Sequence, residues 1–182
     1  MTMRIETPRL IIRSFEKSDY EGFCGYFRDE SLDGLMAGHV YTDEASMRRL
    51  FDANCLNKYS YIIELKGEKI IAGEVHFADI ISCYLAHIGF IIHRGYRQRG
   101  YGAEAVSAVI AHGFNELGFG RIRGICNLKN AASQKLMETC GFQQEALIYE
   151  GNFGGVVADM LYYSVTLADF LLNYDDPEEK VL

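Results

Sequence analysis

Apolar and polar residues follow two rhythms along this chain, and the switches between them mark out its elements. A short strand is predicted at residues 9–13, Arg9-Leu10-Ile11-Ile12-Arg13. Tyr20, Phe23, Cys24 and Phe27 then recur at the three-to-four spacing of a helix face. Ser18-Asp19-Tyr20-Glu21 reads as its capping box, with Ser18 as the cap and Glu21 reaching back. A second helix is predicted from Thr42, with Met47, Leu50, Phe51 and Asn54 inward and Arg48 and Arg49 outward. The middle is strand-rich: residues 59–65 and 70–77 flank a hairpin loop at Lys66-Gly67-Glu68-Lys69, and 85–93 follows. Val106, Val109, Ile110, Phe114 and Leu117 form the stripe of a helix over about 101–117, which Gly118 and Gly120 end. After a strand at 121–126, Asn130 caps a short helix with Leu136, Met137 and Cys140 inward and Gly141 as its stop. Two closing strands are predicted at about 143–149 and 157–166. With no repeat or linker, this alternation predicts one α/β domain over residues 1–182, a mixed sheet flanked by helices.

Composition narrows the function classes. The 182 residues are 49% hydrophobic and 24% charged, enough for a substantial core. No apolar run approaches the ~20 residues of a membrane helix, so no membrane partner is expected. The start lacks the apolar stretch of a signal peptide, which predicts a cytoplasmic protein. Net charge is −7, and the tail at 173–182 is acidic, with four acids and one base between 175 and 180. This balance argues against nucleic acid as the main partner. It suits a cationic substrate such as an amine, or simply a solvated surface. Five cysteines at 24, 55, 83, 126 and 140 form no C-x-x-C and read as reduced, mostly buried thiols. Five scattered histidines make no metal-ligand pattern, so no metal is expected.

The strongest chemical signal is Arg97-Gln98-Arg99-Gly100-Tyr101-Gly102-Ala103, between an apolar strand and a helix start. A helix start offers unpaired N–H groups and the positive end of a dipole. Glycines allow close approach, and Arg94, Arg97 and Arg99 add charge, so the segment reads as a phosphate cradle. A plain solvated turn is the bland alternative. Gly100-Tyr101-Gly102-Ala103-Glu104-Ala105 also matches the dinucleotide pattern G-x-G-x-x-A. That reading, an oxidoreductase, wants an acid at the end of the next strand, where Cys126-Asn127 stands. A P-loop is excluded because no G-K-[ST] follows.

Taken with Asn127-Leu128-Lys129-Asn130-Ala131-Ala132-Ser133 and the later Cys140-Gly141-Phe142, the turn resembles the GNAT superfamily of acetyl-CoA-dependent N-acetyltransferases. The opening Glu6-Thr7-Pro8-Arg9-Leu10-Ile11-Ile12-Arg13 and the ending at 154–164 resemble its RimJ/RimL-like branch, which includes enzymes acting on protein N-termini. The likeness spans about 6–166. It implies a mostly antiparallel sheet whose strands splay at the cofactor site. It also implies that the main chain of Arg97, Gln98, Arg99, Gly100, Tyr101, Gly102 and Ala103 binds the pyrophosphate of coenzyme A. Phe90 and Ile92 would lie beside the pantetheine arm, with the Ile92 amide donating to the thioester oxygen, and Asn130 would touch the pantetheine unless it only caps its helix. Relatives often dimerise, which leaves a homodimer open.

The implied reaction is direct attack by an amine of a small molecule or protein N-terminus, needing a base and an acid. Glu74, a carboxylate in an apolar strand, is the candidate base, with His76 and His87 as alternatives; period-two alternation puts Glu74 on one face with Ala72 and His76, so it could equally be solvent-facing. Many relatives place an acidic Tyr where this chain has Met137. Ser133 is the substitute, with Tyr149 and Tyr162 as further candidates. Glu104, in the first helical turn, is explained by the helix dipole. The missing Tyr keeps open a non-catalytic acyl-CoA-binding module.

Overall fold

The two rhythms resolve, in a computed structural model describing residues 3–32, 43–81, 84–153 and 155–174, into a sheet with helices on both faces. In chain order these are β1 Arg4–Glu6, β2 Leu10–Ser14, α1 Tyr20–Phe27, α2 Glu44–Leu56, β3 Ser60–Leu65, β4 Ile70–Ala78 and β5 Leu85–Ile92. Then come α3 Tyr101–Asn115, β6 Arg121–Asn127, α4 Ala131–Thr139, β7 Gln143–Phe153, β8 Val156–Thr166 and α5 Leu167–Tyr174. The sheet order is β1-β2-β3-β4-β5-β6-β8-β7, and every neighbouring pair is antiparallel except β5 with β6. Thr42, Cys83, Gly154 and the tail at 175–182 lie outside the described residues.

One face of the sheet packs Ile63, Val75, Phe77 and Ile122 against Val106, Val109 and Ile110 of α3 and Met137 of α4. The other packs Ile62 and Ile91 under α1 and α2 through Phe23, Tyr26, Met47 and Phe51. Phe23 stacks on Phe27 at 4.8 Å and meets Phe51 edge-on at 5.4 Å. Such ring pairs add about 0.5–1.5 kcal/mol each beyond area burial. Gly22 lets α1 sit low on β4, since a Cβ there would come within 2.5 Å of Ile71.

Three local expectations change. The reciprocal cap before α1 forms on a 3-10 turn, Lys17–Asp19: the Glu16 N–H donates to Asp19 Oδ2 at 2.7 Å, while Ser18 is exposed. Asp19 is drawn there because Arg13 of β2 grips both its oxygens at 2.8 Å. Helix α2 is capped by Asp43, which accepts from the Ser46 N–H at 2.8 Å. Strand β1, three residues long, and helix α5 were not among the predicted elements, and β7 runs to Phe153 because it pairs with β8 nearly to the hairpin tip.

Two irregularities shape the site. β5 pairs with β6 only at Leu85–His87 against Arg121–Arg123, and beyond that β6 pairs with β8 alone, so the sheet splits. On β4, the register against β3 slips, with Ile63 opposite Gly73 and Glu64 opposite Ile71, which makes Ala72 an extra residue. Gly73 takes φ +153°, and a Cβ there would meet the Ile91 carbonyl at 2.1 Å, so the bulge requires glycine.

Candidate active site

Helix α3 begins without a side-chain cap. Its N-cap is Gly100 at φ +80°, preceded by Gln98 at φ +59°. The first helical bond is Glu104 N–H to the Gly100 carbonyl at 3.1 Å. Among the described residues no hydrogen bond uses the N–H groups of 97–103. A row of donors left open, with left-handed residues among them and a helix dipole behind, is an anion site by construction. Gly102 is required for close packing, because a Cβ would lie 2.6 Å from Leu136 of α4.

The loop is held from behind. Arg9 donates through Nε to Glu104 at 2.6 Å and through Nη1 to the Arg99 carbonyl at 2.9 Å, and lies 4.7 Å from the Tyr101 ring centre. Glu104 also accepts from the Thr7 hydroxyl at 2.6 Å and the Arg9 N–H at 2.9 Å. Partial burial pushes its carboxyl upward, but these bonds and the Arg9 charge outweigh it and hold it below the usual range. Glu104 is therefore an anchor as well as a dipole partner. Arg97 departs from its expected role. Its guanidinium turns inward, donating to the Ile92 carbonyl at 2.9 Å, Ser31 Oγ at 3.0 Å and Asp29 Oδ2 at 2.6 Å. Asp29 is buried and takes Arg97 as its ion-pair partner, so only the main chain of Arg97 remains for a phosphate.

A cavity of about 870 Å³ runs from this loop through the split in the sheet to α1 and α2, with Gly102, Leu136 and Asn127 on one side and Phe27, Leu50 and Glu74 on the other. The main-chain N–H of His93, just past β5, donates to the Ala72 carbonyl at 2.8 Å, which fixes the phase in which alternate residues of β5 bond β4. Phe90 and Ile92 therefore turn their N–H groups the other way, into the split. The expected splay and the placement of Phe90 and Ile92 beside it are both present. The groups present fit a phosphorylated, extended ligand: open amides for the phosphates, then an unpaired strand edge.

On the far side, Glu74 is buried at 3% exposure. The bulge turns it over: Ala72 packs toward α3, whereas Glu74 faces α1, which corrects both the shared face with Ala72 and the solvent-facing alternative. The Tyr26 hydroxyl donates to its Oε2 at 2.7 Å. Burial, then the charge of Glu74, pushes the Tyr26 phenol well above its usual range, so it stays a donor. His76 Nδ1 lies 3.4 Å from the other oxygen. His87 also lines the cavity; burial pulls its imidazole below the usual value, the Arg123 charge adds to this, and Asp79 opposes.

Asn130 caps α4, accepting from the Ser133 N–H at 3.1 Å, which occupies its oxygen and leaves its amide at the cavity wall. Ser133 lines the cavity with Cys126, whose thiol burial pushes up to about 11 while Ser133 works against the rise. Met137 is buried over Gly124, where a Cβ would come within 2.4 Å of its sulfur. Tyr149 is 73% exposed on β7, and neither it nor Tyr162 is among the described residues lining the cavity. Sequence reasoning missed Tyr26, which lies outside the helix stripe of Tyr20, Phe23, Cys24 and Phe27, and the anchoring roles of Thr7 and Arg9.

A family model described as an acetyltransferase (GNAT) domain matches residues 9–143. An uncharacterized N-acetyltransferase of Bacillus subtilis, YnaD, is 27% identical over 143 residues, covering 79% of this chain and 84% of its own. The crystal structure of a GNAT-family acetyltransferase from Bacillus anthracis superposes with a TM-score of 0.83 at 28% identity, over 90% of this chain and 98% of that one. The fold is also that of the spermidine N-acetyltransferase from Vibrio cholerae, solved in complex with CoA and spermine, at TM-score 0.78 and 17% identity over 91% and 99% of the two chains. This chain belongs to the GNAT family of acetyltransferases and is an N-acetyltransferase. Among the described residues no helix is long and apolar enough to cross a membrane.

Proposed function

We propose that the chain moves the acetyl group of acetyl-CoA to a primary amine by direct attack. The observation that carries this reading is one cavity joining the open amides of 97–103 to the buried carboxylate Glu74 through the split between β5 and β6. Acetyl-CoA supplies the activated acyl group when bound. The amides at 97–103 hold the diphosphate, each N–H to a charged oxygen contributing about 1.5–3 kcal/mol. The N–H groups of Phe90 and Ile92 order the arm and polarise the acyl oxygen. Glu74 Oε1 takes the ammonium proton, steadied by Tyr26 on Oε2. The Ser133 hydroxyl is the donor to the departing sulfur.

The acceptor is an amine of a small molecule or a protein N-terminus. The net charge of −7 favours a cationic small amine. The test is release of free thiol from acetyl-CoA across an amine panel and N-terminal peptides. Turnover with any acceptor supports the reading; tight coenzyme A binding with no release would favour a non-catalytic acyl-CoA-binding module, the reading that the apolar Met137 in place of a Tyr supports.

A further inference from the structure

Glu74 is enclosed, and a buried base must return its proton to water on every turnover. Its side chain is 4% exposed, beneath α1, with Tyr26 already donating to one oxygen. The neighbouring side chain on the same face of β4 is His76, 29% exposed and lining the same cavity. His76 Nδ1 lies 3.4 Å from Glu74 Oε1 and has no hydrogen-bond partner among the described residues. The ring lies across Gly89 of β5: a Cβ there would come within 2.5 Å of Nε2, so only glycine leaves the imidazole this seat. Histidine is the side chain whose proton moves near neutral pH.

We propose that His76 is the proton exit of the active site, a positioning and relay residue acting through Glu74; this rests on Glu74 being the base. The balance requires such an exit. Acetylating an ammonium releases two protons from nitrogen; one ends on the thiol of coenzyme A, and the other leaves the enzyme. Glu74 takes that second proton and passes it from Oε1 to His76 Nδ1. The resulting imidazolium gives up a proton to water in the cavity, which restores both groups.

The groups facing this pair come from every element packed against it. Tyr26 comes from α1, Ser60 and Ile62 from β3, and Ile91 and His87 from β5, with Asp79 3.7 Å from His87. From α2, Leu50 and Asn54 reach the same cavity, and neither carries a charge. Of these, His76 alone combines contact with Glu74 and an opening to water.

The test compares His76→Ala, Gly89→Ala and Glu74→Gln in weak buffer. His76→Ala is expected to lower kcat about tenfold with both KM values held, and added imidazole is expected to restore it. Gly89→Ala keeps both groups but displaces the ring, and is expected to lower kcat in the same way. Coenzyme A affinity by calorimetry serves as the folding control, with His76→Gln read identically should the alanine variant fail it. Unchanged kcat and pH profile in the His76 variants, or a loss that imidazole does not restore, would overturn the relay. Glu74→Gln is expected to lose turnover without imidazole rescue; full activity there would instead remove the base on which the relay rests.

Discussion

The two ends of the cavity are built from different material. The end at α3 is main chain: a row of amides, a glycine at φ +80° and another that lets two helices touch. The end under α1 is side chain: a carboxylate, a phenol and an imidazole brought together from α1 and β4. Backbone recognition depends on a local conformation written in consecutive residues. Side-chain recognition depends on which face of a strand looks inward, and on β4 a single extra residue decides that.

The largest effect should come from damaging the backbone end. Gly100→Asp places a side chain and a like charge at the proposed diphosphate seat, and coenzyme A binding should vanish in calorimetry while the protein stays folded. Retained affinity would take the loop out of the site. At the other end, Glu74→Gln should lower kcat by about a thousandfold and leave coenzyme A affinity intact, separating the two ends cleanly. A matching loss of affinity would mean that they are not independent.

The tie between the ends is Arg97, whose main chain belongs to the loop and whose guanidinium holds Asp29 and Ser31 just beyond the C-terminal end of α1. Asp29→Ala should cost about 2 kcal/mol in thermal or denaturant unfolding and weaken coenzyme A binding as well. Stability loss with unaltered affinity would make the pair a structural link alone. Ser133→Ala should lower turnover about tenfold with affinity held if its hydroxyl serves the sulfur; unchanged kinetics would leave it a first-turn residue beside Cys126.

The smallest effect concerns pH. Burial holds the His87 imidazole below its ordinary 6.5, so near and below that pH the unfolded chain binds the proton more readily than the folded one. Its contribution to folding therefore weakens as pH falls through 6.5. His87→Gln should flatten the fall in melting temperature between about pH 7 and 5. An unaltered slope would show that the imidazole is solvated.

The same contrast explains what the sequence disclosed. The loop at 97–103, the cap by Asn130 and the strands around the split were legible because each rests on neighbours in the chain: glycine placement, an Asx cap, apolar runs. Glu74 was found as a residue type but placed on the wrong face relative to Ala72, because alternation has no means of announcing a bulge; Gly73 was its only local sign. Tyr26 was passed over, and the Arg97 side chain misread, for a related reason. Tyr26 falls outside the helix stripe and Arg97 sits in a basic loop, and their actual partners lie 48 and 68 residues away.

The most direct measurement is a crystal structure of the protein with coenzyme A bound. The amides of residues 98–103 should lie within hydrogen-bond distance of the diphosphate, with the pantetheine arm in the split beside Phe90 and Ile92. Coenzyme A seated elsewhere, with those amides donating to the protein's own carbonyls, would contradict the account.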